Sequence, residues 1–522
     1  MKPSDFSVVQ FSDFTWDVTV NKSDSFITIE NKFRQMKKYL IIFISLIALS
    51  SCKKFLDIQP ESDVSKEELF SSEEGFKEAL NGAYVGLAGA NLYGGNLTFS
   101  NLDIMAQNYQ FTDANFLRIA AFDYTLTAYV QKISVIWTNA YKQIGNLNQI
   151  LTVIDQRKEL FRDQNYEIVK GEALALRAYM HFDLLRMFGT SYQNNPNFKA
   201  MPYVTTVETK PTPFSTVSEV VDKAIADLQE AKTLLKGKDP ILPASYVVGY
   251  ATNDKATELK NPSLFLQNRR HRMNYYAVAG TLARVYLYKN DKANALSNAK
   301  EVIDSQKFPW TLQADFFADD VSKRDRIFYN ELVFGWYIPQ SREQLIGLFS
   351  RVNPDYSATA DQINSIYNLG TTGADDWRYK QWFRLVRDAN QSDRFYLQKY
   401  IVNTTPLTNL HPLMAPALRL SELYLIAAEA SFDTNPGVAV DYFNTFRVNR
   451  GIGSNVSASV SKADFINLIK GEYRKEFYGE SQSFFMHKRL NLDIITTVGL
   501  IYPASDKIFV FPLPIEEQAN RN

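Results

Sequence analysis

The residues of this chain that could carry chemistry point to binding rather than to reaction. Glycoside hydrolysis needs two carboxylates held about 5 to 10 Å apart across a cleft. Acids are paired at Asp319-Asp320 and Asp375-Asp376, but adjacent acids in loops read as solvated or helix-capping residues. His181, His271, His411 and His487 are scattered without metal-ligand spacing, and with a single cysteine a zinc cluster is not expected. Neither a glycine-rich phosphate loop nor a nucleophile elbow is present. The sequence therefore predicts no catalytic residue, no metal and no cofactor, and a surface glycan hydrolase is the weakest of the readings considered.

Recognition of a sugar asks for a flat aromatic face against the apolar side of the ring, flanked by amides, carboxylates or guanidinium groups that pair hydroxyls. Two insertions combine these types. The first is Asn91-Leu92-Tyr93-Gly94-Gly95-Asn96 with Asp103, Gln107, Asn108 and Tyr109, in which a tight turn at Gly94-Gly95 would present Tyr93. The second, 306–385, contains Trp310, Trp336, Tyr337, Trp377, Arg378 and Trp382. The candidate ligand-binding residues are Tyr93, Asn96, Asp103, Tyr109, Trp310, Trp336, Tyr337, Trp377 and Arg378. For each, the competing role is packing, because tryptophans commonly pin an insertion to its scaffold.

The elements that must position these loops are helical. Apolar residues recur with helical period over about 127–157, 166–189, 217–236, 272–289, 292–305, 414–433, 437–450 and 462–486. Ser71-Ser72-Glu73-Glu74 reads as a capping box ahead of a helix that sets Phe76, Leu80, Tyr84 and Leu87 on one face. The 166–189 segment is apolar on several faces and should be buried nearly all round. Tetratricopeptide-like hairpins are expected where Leu282-Ala283, Tyr286, Ala295, Ala299 and Val302 surround Asn290-Asp291. The same spacing returns where Ile426-Ala427, Ala430, Ala439, Phe443 and Phe446 surround Thr434-Asn435-Pro436. Between the hairpins lie irregular stretches at about 90–125, 190–215, 237–270 and 306–412, with one strand expected at 332–337. Long loops in a compact domain usually bind something. The fold class is all-α, helical hairpins with long loop insertions and minor strand content.

Cys52 ends a segment with Lys37 and Lys38, an apolar run from Tyr39 to Leu49, and then Leu49-Ser50-Ser51-Cys52. This is the pattern of a bacterial lipoprotein signal, 36–51, too short for the ~20 apolar residues of a spanning helix. Cys52 would carry lipid and hold the protein to a membrane surface. Met36 has the features of a true start, so 1–35 read as a start-site misassignment or a disordered extension. The mature chain, 52–522, is read as one domain with halves at about 52–250 and 270–522. The 57 basic and 57 acidic residues balance and leave no basic footprint for nucleic acid.

Several stretches, taken in order, resemble the SusD/RagB family of Bacteroidetes outer-membrane lipoproteins. They are Cys52-Lys53-Lys54-Phe55-Leu56-Asp57-Ile58-Gln59-Pro60, Ala79-Leu80-Asn81-Gly82-Ala83-Tyr84, Trp137 to Ile144 with Asn148, and Glu172 to Gly189. Towards the C-terminus come Arg419-Leu420-Ser421-Glu422-Leu423-Tyr424-Leu425 with Ala428-Glu429-Ala430, and Pro512-Leu513-Pro514 with Glu517. The resemblance implies a surface lipoprotein that binds an oligomeric nutrient, glycan in preference to peptide. It also implies delivery to a partner TonB-dependent SusC-like transporter. Where much of the family has Glu-Gly-x-Arg-Trp-x-Asp, this chain has Glu480-Ser481-Gln482-Ser483-Phe484-Phe485-Met486. A protein-binding helical-repeat scaffold is the alternative. Arg419, Glu422 and Glu429 are expected to form helix-helix salt bridges or caps.

Overall fold

The Ser72 hydroxyl accepts the Gly75 N–H, and from that cap the Glu73–Leu87 helix buries Phe76, Leu80 and Leu87. The computed structural model describes residues 65–349, 354–387, 393–496 and 499–519, all but Ser65 in the unit spanning 66–522. Cys52, the expected signal segment 36–51 and 1–35 lie outside the described residues. Seven further helices follow, Thr127–Val153, Asn165–Phe188, Val217–Leu235, Tyr275–Tyr288, Lys292–Asp304, Leu420–Ser431 and Pro436–Val448. Each packs on the one before it, so the expected helical hairpins form a continuous row.

Two turns show how the repeat is made. Asn290 takes a left-handed conformation (φ 63°), and the Asp291 carboxylate caps Asn294 N at 3.1 Å to start the Lys292–Asp304 helix. In the second hairpin Asn435 caps Val438 N at 3.2 Å, with Pro436 in the first helical turn, where its missing N–H is no loss. Ala283, Ala299, Ala427 and Ala439 are fully buried at the crossings. Gly280 serves the same approach: a Cβ there would meet Leu418 Cδ2 at 2.4 Å.

The Asn165–Phe188 helix is buried on all sides beyond its first turn, as its pattern predicts, and its buried charged residues are paired. Glu172 meets Arg269 and Arg272, Arg177 meets Asp227 at 2.8 Å, and Asp183 meets Arg186.

Three expectations are corrected. Residues 414–419 do not open a helix; Met414–Arg419 is a strand antiparallel to Leu332–Tyr337, with Pro416 opposite Gly335. Proline lacks the N–H that a helix interior requires and is placed here beside a register irregularity. The 462–486 helix is two, Lys462–Glu476 and Gln482–Leu490, because Gly479 (φ 76°) and Ser481 (φ 62°) turn left-handed between them. The Asp103 carboxylate accepts both of their N–H groups, at 3.2 and 3.4 Å, and a Cβ at 479 would sit 3.0 Å from the Tyr400 ring. The 306–412 stretch also holds more order than periodicity suggested. Ser357–Thr359, Asp393–Leu397 and Phe383–Arg387 make a three-stranded sheet, with short helices such as Ala360–Tyr367 beside it.

A buried ion network ties this insertion to the helices. Glu476 receives Arg378, Arg419 and Arg450; Arg450 also holds Glu331, Arg419 and Lys399 hold Glu480, and Arg378 holds Asp376 and Glu472, the last shared with Lys475. Five acids face five bases. Arg284 with Glu422, at 2.6 Å, and Arg489 with Glu429, at 2.6 Å, extend the pairing along the hairpins.

Candidate ligand-binding groove

Successive residues of a strand point to opposite faces, and the Leu332–Tyr337 strand ends with two aromatic residues that separate in this way. Trp336 is turned inward at 1% exposure, while Tyr337 is 49% exposed. Tyr337 stands between two adjoining cavities of about 610 and 260 Å³ that share its ring together with His271 and Asn268. The His271 ring lies nearly parallel to Tyr337, 15° between planes and 5.7 Å between centres. Behind it Tyr250, Tyr329 and His411 form a second layer of near-parallel rings, at 6.2 and 5.5 Å.

The floor of the groove is held by buried arginines. Arg270 donates to Glu258 and to Gly249 O at 2.9 Å, with its guanidinium 4.2 Å from the centre of the Tyr329 ring. Arg269 donates to Asp239 and Glu172. These contacts fix the short Arg269–His271 turn, which Asn268 enters in a left-handed conformation (φ 47°). Burial, with Arg270 adjacent, pushes the His271 imidazole down to about 4, so it is neutral at physiological pH. His271, whose Nε2 meets the Tyr329 hydroxyl at 3.3 Å, therefore offers a flat ring rather than a charge. Asn253, Asp254 and Lys260 edge the larger lobe, and Asn81 and Gln267 the smaller.

The other candidates are buried or partly buried, and packed into the protein. Tyr93 is stacked on Trp336, 4.4 Å between centres and 10° between planes, and donates to Asp183 at 2.8 Å. Asn96 is partly buried and closes its own loop, Nδ2 to Asn91 O at 3.3 Å. Tyr109 is packed on Tyr356 and Tyr478. Asp103 is fully buried, and burial raises its carboxyl to about 7 against the opposing effects of Tyr109 and the Ser481 N–H. Trp310 lies against Tyr424 and under Arg450, and Trp377 against Phe316 and Phe317. Arg378 is fully enclosed by Asp376, Glu472 and Glu476. Tyr337 is the candidate with an open face; Trp336 lines the smaller lobe but is buried. Sequence reasoning did not pick out His271, Asn268, Tyr250 or Tyr329 as partners of that ring; the signal was the irregular 237–270 stretch.

A further cavity of about 640 Å³ lies between Trp137, Tyr141, Glu208 and Pro514. It is as roomy as the larger lobe, but Trp137 is only 5% exposed and the Tyr141 hydroxyl is spent on Pro202 O at 2.8 Å. No group of three or more His, Cys, Asp or Glu suited to a metal occurs among the described residues.

A row of helical hairpins carrying an aromatic groove on its loops defines a helical binding protein. Residues 245–508 match the SusD family, and 54–246 match a family described as starch-binding and associating with the outer membrane. The chain belongs to the SusD family. It is 28% identical over 205 residues to a SusD-like protein, P38, of Formosa agariphila, a match spanning 38% of each chain. Its fold is shared with a SusD-like carbohydrate binding protein of Bacteroides vulgatus, at a TM-score of 0.68, 20% identity, and coverage of 86% of this chain and 97% of that one. A putative sugar binding protein of the same species gives 0.66 at 22% identity, covering 86% and 96%. A SusD superfamily protein of Bacteroides thetaiotaomicron gives 0.65 at 20%, covering 86% and 98%. Among the described residues no helix is long and apolar enough to cross a membrane.

Proposed function

We propose that this protein captures an oligosaccharide in the groove around Tyr337 and passes it to a SusC-like TonB-dependent transporter, tethered to the outer membrane by lipid on Cys52 and performing no catalysis. The observation that carries the reading is the half-exposed Tyr337 ring between two lobes, with neutral His271 parallel to it. An open aromatic face with amide side chains at the rim suits the apolar side of a sugar and its hydroxyls. The names of the carbohydrate-binding relatives and the outer-membrane description of the matched family support the same reading. Of the two acids lining the larger lobe, Glu258 is bound by Arg270, which favours holding over hydrolysis. Titration of the purified protein with oligosaccharide mixtures should show roughly micromolar affinity, since a shallow platform buries little area. Tyr337→Ala should weaken binding with an unchanged melting temperature and no product on long incubation. Equal binding by Tyr337→Ala would refute this placement of the site.

A further inference from the structure

The two lobes beside Tyr337 differ in chemistry. The smaller is walled by Val85, Ala88, Leu264 and Phe265, with Arg272 and Trp336 at its floor. Leu264 is 82% exposed and Val85 56%. Aliphatic side chains offer no flat face for a sugar ring; they gain only when another apolar group covers them. Two residues of this lining, Trp336 and Arg272, each carry a buried nitrogen, Nε1 and Nη2, without an acceptor. Unmade hydrogen bonds of this kind are unfavourable, and both groups are donors.

The missing ligand atom is therefore an acceptor, and local charge says which kind. Arg269 and Arg272 are balanced by Glu172 and Asp239, through contacts of 2.7 to 2.9 Å, so no positive charge is left over for a carboxylate. The nearby oxygens are already engaged. Asn81 Oδ1 accepts from Arg272 Nη1 at 2.8 Å, and the Tyr84 hydroxyl accepts from Met273 N and donates to Glu172. A neutral carbonyl joined to a small apolar group meets these conditions.

We propose that the smaller lobe is a subsite for an acetyl group carried by the bound oligosaccharide, an inference that rests on the glycan reading above. The methyl lies against Val85 and Leu264, and the carbonyl oxygen accepts from Arg272 and Trp336. Phe265 packs on the Arg272 guanidinium at 4.4 Å from a single turn, Leu264–Leu266, and admitting the carbonyl requires its ring to turn aside.

Calorimetric titration of matched probes tests this, and two pairs separate ester from amide as the source of the acetyl group. One pair is O-acetylated manno-oligosaccharides before and after mild alkali; the other is chito-oligosaccharides and their N-deacetylated counterparts. In at least one pair the acetylated member should bind about tenfold more tightly, the discrimination a small apolar group provides in a pocket. The exposed double variant Val85→Asn/Leu264→Asn should remove that difference. Tyr337→Ala should weaken both members. Equal affinity within every pair, still lowered by Tyr337→Ala, would overturn the acetyl subsite and keep the glycan site. A peptide digest that displaces every glycan, or no glycan binding at all, would overturn both.

Discussion

Replacing Glu476 by glutamine should be among the most damaging single changes in this protein. Its carboxylate receives Arg378 Nη1 at 3.0 Å, Arg450 Nε at 2.9 Å, Arg450 Nη2 at 2.8 Å and Arg419 Nη1, and all three guanidinium groups are fully buried. Glutamine keeps the shape but removes one of five negative charges, and it turns an NH₂ toward groups that can only donate. One buried positive charge is then uncompensated, which costs about 3 to 5 kcal/mol. Urea unfolding of the wild type and Glu476→Gln at neutral pH measures the loss directly. Burial alone would raise the Glu476 carboxyl, but the charges of Arg450 and Arg419 overcome it and hold the group well below 4.5. The stability it contributes is thus complete above the unfolded value and fades as pH falls through the folded one. The difference between the two proteins should be full at pH 7 and shrink in strong acid. A loss below about 1 kcal/mol at neutral pH, the scale of a surface pair, or a difference that grows in acid, would refute the network argument.

Three further outcomes are expected. Ala283→Leu and Ala427→Leu, at fully buried crossings, should each destabilise by roughly 1 to 3 kcal/mol through overpacking, and unchanged melting of both would remove the hairpin account. Asp103, raised to about 7 by burial, binds a proton in the folded state that the unfolded chain releases, so its own contribution to stability falls as pH rises from about 4 to about 7, opposite in sign to that of the buried, lowered histidines such as His271. The stability of Asp103→Asn relative to the wild type should therefore rise over that range, and the variant should melt higher at alkaline pH; a difference that does not change with pH would refute the assignment. Cys52→Ala should abolish lipid labelling and release the protein from the outer membrane, and retention after high-salt washing would contradict the anchor.

The helices were legible because their apolar faces repeat over several turns, and the buried alanines at 283 and 427 already marked the crossings. Met414–Arg419 was not, since its six residues adjoin a genuine helix and only Pro416 speaks against continuing it. The break at Gly479 is made by the side chain of Asp103, 376 residues away in sequence. In the groove, alternation along Leu332–Tyr337 implied that Trp336 and Tyr337 face opposite ways but not which one faces water. That choice is made by Tyr93, which covers Trp336, and by His271, which leaves Tyr337 half open. Such pairings join distant parts of the chain and leave no periodic trace. Arg378 illustrates the same limit: beside Trp377 it resembled a sugar-binding pair, and its role follows from Glu472 and Glu476, which lie in another helix.

A crystal structure of the protein soaked with an oligosaccharide that binds in solution would test the central claim most directly. The account predicts a sugar ring over the open face of Tyr337, with a neighbouring unit entering the larger lobe and hydroxyls within hydrogen-bond reach of Asn268 or His271. Density for the ligand in the cleft beside Trp137 and Pro514, with the Tyr337 groove empty, would contradict it.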